Sequence, residues 1–278
     1  MPTAITRFAP SPTGLLHIGH AYAALFAAEA AGGQGQFLLR IEDIDTTRCR
    51  TAFESAIFED LAWLGLDWPL PVRRQSAHFA DYRCALDRLD HAGLLYPCFC
   101  TRAEIQREIA AAATAPHGPD GALYPGTCRH LSADEQQARE ASGTPYALRL
   151  RMDLACAAMG PLAWHDDLRG EIAAAPQKFG DLVLARKETP ASYHLACTLD
   201  DALQGVTLVT RGEDLFEATH VHRLLQALLD LPTPRYRHHR LLTDAAGRKF
   251  SKRDQAPILK ALRDSGKTPD DVRALIEL

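Results

Sequence analysis

The opening of the chain constrains the fold more than any later stretch. Residues 4–9 (Ala-Ile-Thr-Arg-Phe-Ala) read as a short buried strand, and Pro10-Ser11-Pro12-Thr13-Gly14 as a turn cluster. Leu15 to Ala31 reads as an Ala-rich helix stopped by Gly32-Gly33, and Phe37-Leu38-Leu39-Arg40-Ile41 as a second strand. Strand, turn, helix and strand make a βαβ unit, which demands a parallel sheet. The expected fold is therefore α/β, a Rossmann-like parallel sheet of nucleotide-binding type.

Further helices are expected over 50–66, where Phe53, Ile57, Leu61 and Leu64 recur at helical spacing, over 76–94, and over 214–231. Capping boxes at Thr101-x-x-Glu104 and Ser132-x-x-Glu135 open two more. Strands are expected at 146–152, 181–185, 206–210 and 239–243. The division that results is 1–96 for the first half of the sheet domain, 97–147 for an insertion, 148–256 for the second half and 257–278 for a short helical tail. With 278 residues, 46% of them hydrophobic, the chain can bury a full core unaided. No run reaches the ~18 apolar residues of a membrane span. The N-terminus lacks a charged and then apolar leader, so the cytoplasm is the expected location. A net charge of −4 argues against sequence-independent coating of DNA or RNA, and leaves room for a local basic patch such as Arg235, Arg237, His238, His239 and Arg240. A solvated strand edge explains that run equally well.

His17-Ile18-Gly19-His20 falls at the strand–turn–helix junction. A helix start presents unpaired N–H groups and the positive end of the dipole, which suits a phosphate. Gly19 permits close approach of a ligand, and two histidines a turn apart can both donate to a triphosphate. Near the other end, Lys249-Phe250-Ser251-Lys252-Arg253 follows a turn and suits a charge clamp for phosphoryl chemistry. Cys98-x-Cys100 followed by Tyr124-x-x-x-Cys128 gathers three thiols and a phenol, and a tetrahedral metal site is commonly built from such thiols. His117 and His130 compete with Tyr124 for the fourth place, and a metal-free thiol cluster is the alternative.

The two motifs, in this order, resemble the HIGH and KMSKS elements of the class I aminoacyl-tRNA synthetases. Arg7-Phe8-Ala9-Pro10-Ser11-Pro12-Thr13-Gly14 and Arg40-Ile41-Glu42-Asp43 are similar to the glutamyl/glutaminyl branch. That resemblance implies ATP binding by His17, Gly19, His20, Lys249, Ser251 and Lys252, with His17, His20 and Lys252 as the catalytic set. It implies glutamate binding by Arg7, Ser11, Glu42, Tyr193 and Arg211. The chemistry agrees, since two carboxylates and an ammonium call for an arginine fork and an acidic partner. Each residue also has a structural explanation: Arg7 could pair with Asp43, Arg211 could cap the next helix or pair with its acids, and Tyr193 could be core. About 25 residues follow Arg253, fewer than an isolated domain of ~40 residues needs, so no anticodon-binding domain is expected after it.

Such shortness is similar to the glutamyl-Q group, whose members attach glutamate to queuosine in the anticodon of tRNA(Asp). The resemblance implies one structural zinc, held by Cys98, Cys100, Tyr124 and Cys128, and ATP with Mg²⁺ as a substrate. The implied partners are L-glutamate, ATP and queuosine-bearing tRNA(Asp), with no membrane and no DNA. A truncated glutamyl-tRNA synthetase charging tRNA 3′ ends is the first alternative. A catalytically inactive regulator binding amino acid or RNA is the second.

Overall fold

The structure is a computed structural model and describes residues 3–111, 117–119, 121–186, 189–243 and 257–277. β1 (Ile5–Phe8), α1 (Ile18–Ala31) and β2 (Gln36–Ile41) form the expected βαβ unit, with β1 and β2 parallel and Arg7 opposite Leu38. Ala21, Ala24 and Ala27 are at most 1% exposed, so small side chains let α1 lie close on the sheet. Gly32 ends the helix at φ 71°, a conformation that favours glycine. α2 (Thr51–Trp63) leads to β3 (Arg73–Arg74), which adds parallel to β2. Then come α3 (Phe79–His91) and β4 (Leu95–Cys98).

The next segment carries α4 (Arg102–Ala111), the small hairpin β5 (His117–Gly118) and β6 (Gly121–Ala122), and α5 (Ala133–Ala141). Both expected capping boxes form: Thr101 with Glu104, and Ser132 with Glu135. The segment returns through β7 (Ala147–Leu150), which pairs antiparallel with β4, so exit and re-entry lie side by side. α6 (Met152–Met159) and the antiparallel pair β8 (Ala163–Asp166) and β9 (Gly170–Ala173) follow. β10 (Val183–Ala185) joins β7, and α7 (Tyr193–Leu203) precedes β11 (Leu208–Gly212).

After α8 (Ala218–Leu228), β12 (Arg235–His239) runs parallel to β11 and also pairs with β8. The last strand was expected at 239–243, four residues later than it stands. The basic run itself is the strand, because Tyr236 and His238 point into the core while Arg235 and Arg237 share the partner Asp167 outside it. α9 (Leu259–Asp264) and α10 (Pro269–Ile276) close the described chain. Thr207 N donates to Ile5 O at 3.0 Å, which joins the β1 sheet to the β11 sheet. β1 and β11 thus lie side by side with their carboxyl ends together, where α/β sheets bind ligands. No helix among the described residues is long and apolar enough to cross a membrane.

Candidate functional site

Five elements bring the expected residues together at those carboxyl ends. Arg7 lies in β1, Glu42 directly after β2 and Arg211 in β11, while His17, Gly19 and His20 begin α1. With Tyr193, at the start of α7, all seven line one cavity of about 450 Å³. Ser11 is exposed and is not among the lining residues; its carbonyl accepts from Thr13 N at 2.8 Å. Lys249, Ser251 and Lys252 lie outside the described residues. The flanks of their segment are at the cavity: Leu241 and Leu242 line it, and Pro257 O accepts from Ile18 N at 3.0 Å.

That last bond corrects one expectation. The start of α1 does not offer unpaired N–H groups. Ile18 N donates to Pro257 O, Gly19 N to His17 Nδ1 at 3.1 Å, and His20 N to His17 O at 2.8 Å. The backbone donors are satisfied by the chain itself, so the pull on an anion rests on the helix dipole and the two imidazoles. His17 N donates to His20 Nδ1 at 3.1 Å. Both rings accept at Nδ1, so each neutral ring carries its proton on Nε2. A Cβ at Gly19 would come 2.9 Å from the His17 ring, so any side chain there displaces the capping imidazole.

The two arginines of the cavity differ in their partners. Arg7 does not pair with Asp43, which accepts from Ser76 instead. Arg7 Nε donates to Asp201 Oδ1 at 2.9 Å and Nη1 to Thr210 O at 3.0 Å. Arg40, with no exposed side-chain surface, donates to the same Asp201 oxygen at 2.8 Å and lies 3.4 Å from Glu42. Burial works against the Arg7 cation, and the Asp201 charge outweighs it, so its pKa is raised. Burial pushes the Glu42 carboxyl up, against the pull of Arg40 and Arg7. Asp200 and Asp201 end α7, the wrong pole of the dipole for an acid. Arg7 and Arg40 hold the second; Arg73 at 2.8 Å, Gln75 at 2.8 Å and Tyr82 at 2.9 Å hold the first.

Arg211 neither caps a helix nor pairs with the acids after it. Nε donates to His238 Nε2 at 3.2 Å, Nη1 to His222 Nδ1 at 3.1 Å, and Nη2 to Thr219 Oγ1. Its carbon centre lies 5.4 Å from the Tyr236 ring centroid. Among the described residues it forms no ion pair with a carboxylate. Burial raises the pKa of the Tyr193 phenol, so that group stays neutral.

The sulfurs of Cys98, Cys100 and Cys128 lie within 4.8 Å of one another and could hold a metal ion. Tyr124 Oη is 3.4 Å from Cys100 Sγ and accepts from Cys128 N at 2.9 Å. His117 and His130 are exposed and do not join the group. Burial pushes the Cys100 thiol up to about 12. Cys128 goes the other way: burial opposes its ionisation, but bonds from Tyr124 and Phe99 N outweigh it. A crowded set of thiols that repel one another as thiolates is what a bound cation relieves. The site residues missed by sequence reasoning are Asp201, His222 and His238, which touch the arginines and carry no local motif.

The family model for the catalytic domain of class I tRNA synthetases (E and Q) matches residues 3–278. A glutamyl-Q tRNA(Asp) synthetase of Rhodobacter capsulatus is 51% identical, over 99% of this chain and 100% of that protein. A glutamate–tRNA ligase of Aquifex aeolicus is 37% identical over 95% of this chain, which spans 54% of that protein. The crystal structure of a glutamate tRNA ligase from Elizabethkingia meningosepticum superposes with a TM-score of 0.73 at 29% identity, covering 91% of this chain and 52% of that one. The chain belongs to the class I aminoacyl-tRNA synthetases of the glutamyl/glutaminyl branch, in its catalytic domain.

Proposed function

We propose that this chain activates L-glutamate with ATP and transfers it to queuosine in the anticodon of tRNA(Asp). One observation carries the activation step: the cavity joins Arg211, a cation with no carboxylate partner among the described residues, to the paired imidazoles of His17 and His20. The transfer target rests on the full-length similarity to the R. capsulatus protein.

In this reading Arg211 grips a glutamate carboxylate. Glu42 faces the ammonium, Tyr193 closes the pocket, and Arg7 adds positive field while staying tied to Asp201. Ser11 belongs to the motif that resembles the glutamate pocket and would need to move to reach it. His17 and His20 donate from Nε2 to the triphosphate, Gly19 leaves room for the nucleotide, and Lys249, Ser251 and Lys252 supply the positive charge and hydroxyl of the phosphate clamp. The substrate α-carboxylate is already ionised and attacks the α-phosphorus; the bond to the β-phosphate breaks and pyrophosphate leaves, so alignment and charge neutralisation are what the protein supplies. Mg²⁺ accompanies the ATP. A queuosine hydroxyl oxygen then attacks the activated carbonyl carbon, AMP leaves with the bonding pair, and the hydroxyl proton passes to its phosphate.

The division 1–96, 97–147, 148–256 and 257–278 places all of this in the two sheet halves and leaves the insertion its own metal. Zinc held by Cys98, Cys100, Cys128 and Tyr124 would tie β4 to the turn after residue 126, a structural cross-link. Protein purified without chelator should carry one zinc per chain, and Cys128→Ser should lose it. The function is tested with labelled glutamate, ATP and total tRNA in the cytoplasmic ionic range. Label on the anticodon loop supports the proposal. Label on the 3′ end makes this a glutamyl-tRNA synthetase, and no label makes it a binding protein.

A further inference from the structure

We propose that His222 and His238 are positioning residues that hold the Arg211 guanidinium through neutral acceptors and so keep its charge for the substrate carboxylate. The inference rests on the reading of this cavity as a glutamate site.

Arginine only donates, so every nitrogen facing Arg211 must present a lone pair. His238 Nε2 is therefore unprotonated, and its proton sits on Nδ1, 2.7 Å from Asp166 Oδ2. Asp166 is fully buried and also accepts from Leu168 N at 2.9 Å, which fixes it in turn. His222 accepts at Nδ1, so its proton sits on Nε2, 3.2 Å from His194 Nδ1. The tautomers are thus fixed outward from Arg211, through His238 to Asp166 on one side and through His222 to His194 on the other. His194 and Tyr193 both line a second cavity of about 550 Å³, and Tyr193 is common to both cavities.

Five N–H groups belong to a guanidinium, and His238, His222 and Thr219 take one each. One N–H remains on each terminal nitrogen, the pair that a carboxylate can accept in bidentate fashion. A carboxylate in place of either imidazole would hold Arg211 as firmly and would cancel its charge, as Asp201 does for Arg7. Neutrality of the imidazoles agrees with their surroundings. Burial and the neighbouring Arg211 push His238 and His194 down to about 4 and His222 well below its usual range.

The histidine ring allows a test that separates its two nitrogens. Asn places an amide oxygen where Nδ1 stands, toward Arg211; Gln places its amide where Nε2 stands, toward His194. Glutamate-dependent ATP–pyrophosphate exchange is measured on the purified enzyme and on His222→Phe, His222→Asn and His222→Gln. His222→Phe should raise the glutamate KM about 10- to 100-fold, the worth of one charge-assisted hydrogen bond, with the ATP KM within about twofold. His222→Asn should recover most of the glutamate KM and His222→Gln should not. An unchanged glutamate KM in the Phe variant, equal rises for glutamate and ATP, or equal rescue by Asn and Gln each overturn the inference. Should the Phe variant fail to fold, the Asn and Gln pair decides alone. A wild-type enzyme without glutamate-dependent exchange removes the underlying reading, and the inference with it.

Discussion

Arg7 and Arg211 stand at the carboxyl ends of neighbouring strands, equally buried at 5% exposure, and are held by opposite means. Around Arg7 the charges are balanced inside the protein: two guanidiniums, Arg7 and Arg40, share Asp201, with Glu42 and Asp200 close by. Around Arg211 the partners among the described residues are imidazoles, a hydroxyl and a phenol ring, and in the proposed reading the balance is left to the substrate. Burying a cation costs several kcal/mol unless something compensates it. The first cluster therefore contributes to the fold, and the second stores an unmet demand that binding satisfies. Stability and recognition are assigned to different arginines within one cavity.

The largest effect should come from breaking the balanced side. Asp201→Ala leaves two buried guanidiniums facing each other and should cost about 3–5 kcal/mol of unfolding free energy, read from urea denaturation. A loss under about 1 kcal/mol would mean that Glu42 and Asp200 suffice, and the contrast between the clusters would collapse. On the other side, Arg211→Gln should lower kcat/KM for glutamate about 10²- to 10³-fold, an activation loss of roughly 3–4 kcal/mol. Its unfolding free energy should stay within about 1 kcal/mol of the parent or rise, because the side chain removed is a buried charge with no counter-ion among the described residues. A large loss of stability in that variant would show Arg211 to be structural after all.

What could be read in advance divides along the same line. Local signals were legible: the βαβ opening, the two capping boxes, the His17–His20 turn and the cysteine spacing all lie within a few residues of their partners. Arg7 and Arg211 were legible as members of a motif, but their partners were not. Asp201 lies 194 positions from Arg7, and Asp166 lies 72 from His238; no periodicity connects them. The same holds for Pro257, whose carbonyl takes the N–H of Ile18 and removes the free donors expected there. β12 stands four residues ahead of the expected strand because Arg235-Tyr236-Arg237-His238-His239 reads as a basic, solvated run, whereas Tyr236 and His238 are buried. Contacts between residues far apart in the chain decided each of these points, and a single sequence carries no direct record of them.

Acid should separate the two clusters on the pH axis. Folded His194 and His238 titrate at about 4 and His222 well below its usual range, against ~6.5 in the unfolded chain. Between those values the unfolded state binds more protons, so the histidine contribution is complete above about pH 6.5 and is lost as pH falls toward 4. Each ring adds a slope of up to ~1.4 kcal/mol per pH unit. His220 and His239, also lowered by burial, act in the same sense. Asp60, which burial pushes up to about 6, and Glu42, also raised by burial, act in the opposite sense above their unfolded values and together offset at most about two rings. Asp201 is held below its ordinary value by Arg7 and Arg40 despite burial, so its share survives down to about pH 3.8 and goes only below that. Unfolding free energies at pH 7.5, 5.5 and 4.5 should thus fall progressively, and His222→Asn should flatten the decline while Asp201→Asn should leave its slope alone. Equal flattening by both would merge the clusters into one titrating unit.

The smallest effect concerns a third arrangement of arginines, at the surface. Arg235 and Arg237 both reach Asp167, at 2.8 Å and 2.7 Å, from the outer face of β12. Arg235 keeps about half of its side chain in water (52% exposed), where the solvent screens the pair and two donors compete for one carboxylate. Arg235→Ala should therefore cost only about 0–1 kcal/mol, with Arg237 taking over Asp167. The contrast with Asp201→Ala is the informative part: there the anion between two buried guanidiniums is removed, here one half-exposed cation goes while a second stays on the aspartate. Because Asp167 already occupies both side chains, the Arg235→Ala variant should also keep its affinity for tRNA within about twofold at ~0.15 M salt. A tenfold loss of tRNA affinity would show that RNA phosphate displaces Asp167 and that this strand edge is part of the docking surface.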